Sequence, residues 1–545
     1  MNEQSQQEMD FDTPTTSVEE GSKALGGFPP TEEQQLIRDH YLKGDNIMVD
    51  AGAGSSKTST SIFLAEQDNR KVLYLAFNRA IKEDAKKRFA YNVSVYTFHG
   101  LAYSTVGVKY KHKLFRPVKY VNVAMTVSEI KKFFNIKGMQ GCNALRIASL
   151  VKDTITRFEH SDSDKIELYH IPASKIEEYH RINSSEYDID EKVLKAVTMK
   201  YTNLLWEKRI DVKSPVLCSH DTYLKLYQLS KPVLKWDCII GDEFQDVNPV
   251  VADIILSQEC QKVLIGDPNQ SIYGWRGAKN FLKENENYIT LYLSKSFRYG
   301  QPIAELAKAV IDYKRDLNGF ELKDTIIGKV DTSEKYTKIF RTNSCLLMEA
   351  IDLIDNGNVK VSFDINHNDF VKKIKDVLQL KNGDAWRVKH PDIVVFETYE
   401  ELVEEADHEP DLARIVNLIK NNRTDHVIDT LEYYRKPMKP DVLFTTGHKA
   451  KGLEWDNVIL APDFPLPQDA KGMYSELAQG EVNLLYVCLT RAQGVLEVNK
   501  SIQLIMKERK LHNDNDFCNN FKVELGPTKM LPNVNTVDSE IEFEW

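Results

Sequence analysis

Three things are missing from this 545-residue chain, and each narrows what it can be. No uninterrupted apolar run approaches the roughly 20 residues that cross a bilayer, so no membrane-spanning role is expected. The seven cysteines, Cys142, Cys218, Cys238, Cys260, Cys345, Cys488 and Cys518, never fall in C-x-x-C spacing. That scatter argues against a zinc site and a disulfide framework, and for a reducing compartment: cytoplasm, or nucleus in a eukaryote. Cys238, inside "WDCIIGD", reads as a small core residue. Basic residues are missing from both ends. Residues 1–20 carry six acids and no base, residues 531–545 carry four and no base, and those ten equal the net charge of −10. The stretch between is neutral overall and free to hold a local basic groove. The start, "MNEQSQQEMD", is polar and acidic, unlike a secretory signal.

What is present describes a soluble globular protein: 42% hydrophobic and 28% charged residues, with length for roughly three or four domains. Residues 1–28 lack apolar periodicity and read as a disordered acidic tail. Apolar runs suited to buried parallel strands then recur: "NIMVD", "KVLYLAF" (71–77), "NVSVYTF" (92–98), "DCIIGDEFQD" (237–246), "KVLIGDPNQ" (262–270) and "ITLYLSKSFR" (289–298). Charged, helix-like sequence fills about 111–230. After a helix beyond about 300 comes a polar mixed stretch to about 438. A last α/β portion holds "DVLFTTGHKAKGLEWDNVILAP" (441–462) and "EVNLLYVCLTRA" (481–492). Strands alternating with helices predict doubly wound parallel sheets.

Chemistry concentrates at the ends of these runs. "VDAGAGSSKTST" (49–60) departs by one residue at the lysine from the phosphate-loop pattern G-x-x-x-x-G-K-[ST], because Ser56 stands where glycine is expected. Ala51 opens the pattern, with Gly52, Ala53, Gly54 and Ser55 inside it. Backbone N–H groups of such a loop cradle phosphates, Lys57 would neutralise the β/γ-phosphates, and the Thr58 hydroxyl would hold Mg²⁺. Gly/Ser turns are also common loop chemistry. If Ser56 must take a positive φ, the strain is about 1–3 kcal/mol; if not, its hydroxyl is free to donate. "IIGDEFQD" ends an apolar strand in Asp242, suited to Mg²⁺, and Glu243, suited to polarising a water. "GDPNQSIYGWRGA" (266–278) sets Gln270 and Arg276 beside Tyr273 and Trp275. "SFRYG" supplies Arg298, "TTGHKAKGLEW" supplies Thr446, His448, Lys451 and Glu454, and "LLYVCLTRA" supplies Arg491 near a helix end.

In this order the blocks resemble the motifs of superfamily 1 helicases of the UvrD/Rep type. "YLAFNRAI" (74–81) and "TFHGLAY" (97–103) are similar to two further motifs, and "TEEQQLI" offers Gln34 as an adenine-reading glutamine. "LAFNRAIKEDAKKRF", "SHDTYLKLYQLSKP" and "HKAKGLEWDNV" resemble the F-box DNA helicase group, although too few residues precede Gln34 for an F-box. The resemblance covers about 30–345 and 430–500. It implies two RecA-like P-loop lobes: 29–106 with 231–293 (1A), and 294–344 with 433–530 (2A). Insertions at 107–230 (1B) and 345–432 (2B) and an acidic tail at 531–545 complete the plan.

The resemblance also implies roles. ATP would lie between the lobes with Mg²⁺, Gln270 and Arg276 would sense the γ-phosphate, and Arg298 and Arg491 would act as arginine fingers. Glu454 would meet the ribose and Phe297 would stack near the adenine. Single-stranded DNA, or a single/double-strand junction, would meet Phe77 and Trp275 by stacking, and Asn78, His99, Thr446 and His448 along its backbone. The run "VKYKHKLFRPVKY" (108–120) is a further basic candidate, or a solvated face. The expected protein is an ATP-driven, 3′→5′, monomeric helicase or translocase of replication, recombination or repair. Two alternatives stay open: a translocase that strips bound proteins with little unwinding, favoured by the short 2B, and a non-hydrolysing DNA-binding scaffold marked by Ser56. The tail "VDSEIEFEW" is either a docking peptide for a replication or repair partner or a solubilising tail.

Overall fold

A computed structural model describes residues 23–114, 125–183, 188–274, 277, 279–282, 287–313, 315–356, 361–363, 366–406, 410–433, 442–469 and 471–509. Both acidic ends, Trp275 and Arg276 lie outside these residues.

Among the described residues, two six-stranded, wholly parallel sheets organise the chain. The first comprises β1 (Ile47–Ala51), β2 (Val72–Ala76), β3 (Val93–Thr97), β4 (Cys238–Gly241), β5 (Gln261–Gly266) and β6 (Ile289–Leu293), in the order β3-β2-β4-β5-β1-β6. β2, β4 and β5 are buried along their whole length, as strands covered by helices on both faces must be. The phosphate-loop sequence leaves β1 between β5 and β6, at the carboxyl ends of the strands, where open α/β sheets place ligands. The second sheet comprises β7 (Ile326–Ile327), β8 (Tyr336–Phe340), β9 (Val361–Phe363), β10 (Val442–Thr446), β11 (Trp455–Leu460) and β12 (Ala492–Glu497), in the order β7-β12-β11-β8-β10-β9. This is the α/β architecture of two parallel sheets that the sequence predicts. Among the described residues no helix is long and apolar enough to cross a membrane.

The structure moves three of the expected boundaries. Val361–Phe363 pairs with β10 as the edge of the second sheet, and the helix Asn343–Asn356 packs on β8, β9 and β10. The second insertion therefore starts after Phe363 rather than at 345, and holds the helices from His367–Lys381 to Thr424–Tyr433. The helix His220–Leu229 buries Tyr223, Leu224 and Tyr227 in one cluster with Leu73, Leu75 and Leu264 of the first sheet, so it belongs to that lobe rather than to the first insertion. Lys23–Leu25 forms a short 3₁₀ turn with Ala24 buried, inside the stretch expected to be a disordered tail.

The two insertions share a core. Ile147, Leu150, Tyr179 and Leu205 of the first cluster with Ile393, Phe396, Leu402 and Ile415 of the second. At its centre Arg146 pairs with Glu401 at 2.8 Å, with side chains 3% and 4% exposed. Arg146 also donates to the carbonyls of Val395 and Ile182, and Glu401 accepts the Glu397 N–H. A buried pair is marginal when intact but costly when halved. Glu401→Ala should destabilise the protein by about 3–5 kcal/mol, read as a fall in the thermal unfolding midpoint. An unchanged midpoint would remove this pair from the account.

Candidate nucleotide and DNA site

The phosphate loop is held in a strained shape. Gly54 has φ +75°, and a Cβ there would lie 2.6 Å from Ser296 Oγ and 2.7 Å from Arg298 Cβ. Only glycine fits. Ser56 also lies in the left-handed region, at φ 61° and ψ 36°, as N-cap of the helix Lys57–Ala65, and its side chain makes no capping bond. The odd residue of the motif thus sits where glycine is preferred and carries the strain. Glu243 has φ 52° as well, so the acidic strand end carries strained backbone too. Ser55 Oγ is buried with no hydrogen-bond partner, an orphan that a phosphate oxygen would satisfy.

Lys57 and the acidic strand end meet as expected: Lys57 Nζ is 3.8 Å from Glu243 Oε1. Asp242 is 2% exposed. Tyr74 donates its hydroxyl to Asp242 Oδ2 at 2.5 Å, and the Glu243 N–H donates to Asp242 Oδ1 at 2.9 Å. Burial, then the Glu243 charge, push the Asp242 carboxyl upward. Burial opposes the Glu243 charge too, but Lys57 and then Lys451 overcome it and hold that carboxyl low. Thr58 acts on the same Tyr74 hydroxyl, so the two residues expected to hold Mg²⁺ border one tyrosine. One hydroxyl and one carboxylate suit an ion that keeps water and phosphate in its remaining positions.

The second lobe completes the site. Tyr486, on the helix Gln479–Leu489, accepts the Ala53 N–H at 3.0 Å and donates to Asp267 Oδ2 at 3.0 Å. Gln270 Nε2 donates to the same Asp267 oxygen at 2.7 Å, and Arg491 Nη2 reaches Gln270 Oε1 at 3.4 Å. Arg491 is 1% exposed; burial, then the nearby Arg298, push its guanidinium down to about 9. Lys451 donates to Asp246 and, at 2.6 Å, to the Gln270 carbonyl. Gln245 ties the acids together, donating to Glu243 at 2.6 Å and to Asp246 at 3.2 Å while accepting the Asp267 N–H. Tyr486, Asp246, Asp267 and Gln245 were not singled out from sequence, and Lys451 was noted without a role. Tyr486 sits in the apolar run "NLLYVCL", which reads as helix core. The lysine of "HKAKG" beside a phosphate motif was the one available signal.

Several expected ATP residues are occupied within the protein. Gln34 accepts the Thr31 N–H in a capping box and donates to Thr60 Oγ1 at 2.9 Å. Arg298 pairs with Glu454 at 2.7 Å and donates to the Thr490 carbonyl, so Glu454 faces an arginine rather than an open ribose site. The Phe297 N–H donates to the Gly54 carbonyl at 2.9 Å, and its ring lies 5.3 Å from Phe320.

On the expected DNA face, Phe77 stacks on Tyr273 with centroids 6.1 Å apart and planes at 16°. Tyr273 donates to the His448 carbonyl at 3.3 Å, their rings 6.4 Å apart. A file of three rings therefore crosses from the first lobe to the second. Asn78 caps the helix Arg79–Arg88 through the Ile81 N–H, His99 meets Asp221, and Thr446 is buried at 6% exposure. Trp275 and Arg276 cannot be placed, lying outside the described residues. In the basic run, Lys113 is not a solvated cation: it is 2% exposed and donates to the carbonyls of Lys208, Arg209 and Asp211 at the end of the helix Glu191–Ile210.

A lysine opening a helix on one parallel sheet, and a buried hydroxyl reaching its loop from a helix of the other lobe, define a two-lobed P-loop fold. The family models agree and narrow the class. The UvrD/REP helicase N-terminal domain matches residues 31–289 and the UvrD-like helicase C-terminal domain matches residues 275–501. The chain belongs to the UvrD-like helicase family. It is 30% identical over 522 residues to F-box DNA helicase protein 1 of Schizosaccharomyces pombe, covering 87% of this chain and 57% of that protein. Identity to F-box DNA helicase 1 of Gallus gallus is 29% over 524 residues, covering 89% and 50%. The ATP-dependent DNA helicase PcrA of Leuconostoc citreum is 28% identical over 139 residues, covering 23% and 18%. The chain spans about half the length of the F-box relatives it matches.

The strain at Ser56 makes a stability prediction. A left-handed non-glycine residue costs about 1–2 kcal/mol, against roughly 0.4–1 kcal/mol for the extra unfolded-state freedom of glycine. Ser56→Gly should therefore raise the thermal unfolding midpoint of the first lobe slightly, while Ser56→Val should lower it. A lowered midpoint for the glycine variant would contradict the strain.

Proposed function

We propose that the chain is an ATP-driven motor on single-stranded DNA, moving 3′→5′ and acting in replication, recombination or repair. One arrangement carries this reading. Two loops each bear a phosphate-side residue and a DNA-side residue three positions apart: Gln270 with Tyr273, and Lys451 with His448. Gln270 and Lys451 border the carboxylates, whereas Tyr273 and His448 belong to the ring file. A change in phosphate occupancy would move both loops and the bases stacked on them.

In the proposed reaction Lys57 and the loop amides bind the β/γ-phosphates. Thr58 and Asp242 would hold Mg²⁺, which would neutralise charge on those oxygens. Glu243 orients the attacking water, kept ionised by Lys57 and Lys451. Arg491 and Arg298 stabilise the charge that develops on the transferred phosphoryl group, with Arg298 leaving Glu454 to do so. Only the triphosphate gives both lobes a shared ligand, so hydrolysis releases the closed state. Phe77 and Tyr273, with Trp275, supply sequence-independent stacking. A second reading, strand translocation that strips bound proteins with little unwinding, is favoured by the small second insertion, which shares a core with the first. Unwinding and protein-displacement assays separate the two.

ATP hydrolysis measured with and without single-stranded DNA tests the motor. The wild type should be stimulated by DNA, Lys57→Ala should be inactive, and Arg491→Ala should lose about 10³-fold or more in rate. A wild type with activity no greater than Lys57→Ala would leave the scaffold reading in place.

A further inference from the structure

The stretch "SHDTYLK" contributes nothing to the nucleotide site, yet it is tightly tied to its surroundings. The helix His220–Leu229 starts with a capping box, Ser219 with Thr222. Both hydroxyls also donate to Glu159, at 3.3 Å and 2.6 Å. Glu159 is itself paired with Arg209 at 2.8 Å, with side chains 2% and 1% exposed. The start of this helix is thus fixed to the end of the helix Ala144–Glu159, whose C-cap is His160. Asp221, in that first turn, accepts from two imidazoles: His99 Nε2 at 3.0 Å and His160 Nε2 at 3.3 Å. Burial opposes the Asp221 charge, and the hydrogen bonds from His160 and His99 overcome it.

The two histidines come from two different elements. His99 lies on the helix Phe98–Thr105, keeps its side chain 45% exposed, and has no partner for Nδ1 among the described residues. His160 meets Gly277: a Cβ on Gly277 would sit 3.4 Å from His160 Cβ. A lone carboxylate near a nucleic-acid path repels phosphate, so an acid here needs a reason.

We propose that Asp221 is a positioning residue for the single strand, holding His99 in the register in which the DNA backbone meets it. This rests on the motor reading above, in which His99 touches the DNA backbone. The inference differs from simple electrostatics in sign. If Asp221 acted only through its charge, removing it would tighten DNA binding. A positioning role requires the opposite.

The test is the concentration of an oligo-dT strand that half-saturates ATPase stimulation, with direct binding by fluorescence anisotropy and the KM for ATP measured alongside. Asp221→Ala should raise the half-saturating DNA concentration about tenfold, as for one lost charge-assisted hydrogen bond, without a matching rise in KM for ATP. Asp221→Asn, which keeps one acceptor, should fall between, and guards against a folding defect in the alanine variant. Asp221→Ala with His99→Ala should be no weaker than His99→Ala alone. Unchanged or tighter DNA binding in Asp221→Ala, or effects that multiply in the double variant, would overturn the proposal and leave the motor reading intact. A wild type that neither binds DNA nor is stimulated by it would overturn both.

Discussion

The hydroxyl of Tyr486 is where two separate sheets become one site. It comes from a helix of the second lobe, yet both of its partners, the Ala53 N–H and the Asp267 carboxylate, belong to the first. An unpaired buried N–H or carboxylate is costly, so this single group fixes how closely the second lobe can approach the phosphate loop. Arg491 and Gln270 follow from that approach, since the arginine is carried just beyond the same helix and the glutamine shares the same carboxylate. Lys451 makes a parallel contact with Asp246, again from second lobe to first.

Strain and charge at the site have a common cause. Ser56 and Glu243 are both held in left-handed backbone, and Asp242 is buried against a carboxylate neighbour. Such costs persist only where surrounding structure over-determines them. Here the over-determination is visible: Gly54 is wedged against Ser296 and Arg298, and Gln245 ties three acidic positions into one network. Three cations, Lys57, Lys451 and Arg491, converge on this network from both lobes. A nucleotide phosphate chain is the ligand whose charge such an arrangement matches, and the unpartnered Ser55 hydroxyl lies in the same loop.

Much of this was legible in the sequence because it lies at the ends of uniformly buried strands, whose apolar runs are easy to see. The first sheet, the loop and the acidic strand end were anticipated that way, and Arg491 from its place near a helix end. The second sheet was less visible. β7 is two residues long, β9 three, and β8 carries Thr337 and Lys338 within "YTKIF", so each is defined by its neighbours rather than by its own pattern. The roles of Tyr486 and Lys451 depend on contacts spanning 433 and 205 residues, which no local spacing reveals. Lys113 misled for the opposite reason: a lysine in a basic run looks solvated, and only the end of a distant helix shows why it is buried.

The central claim is that one nucleotide is shared by both lobes and sets their separation. The most direct measurement is the distance between fluorophores at Tyr91 in the first lobe and Met473 in the second, side chains 91% and 67% exposed, on protein bound to single-stranded DNA. A non-hydrolysable ATP analogue should give a shorter distance than ADP, and Lys57→Ala should abolish the difference. A distance that ignores the nucleotide would contradict the account.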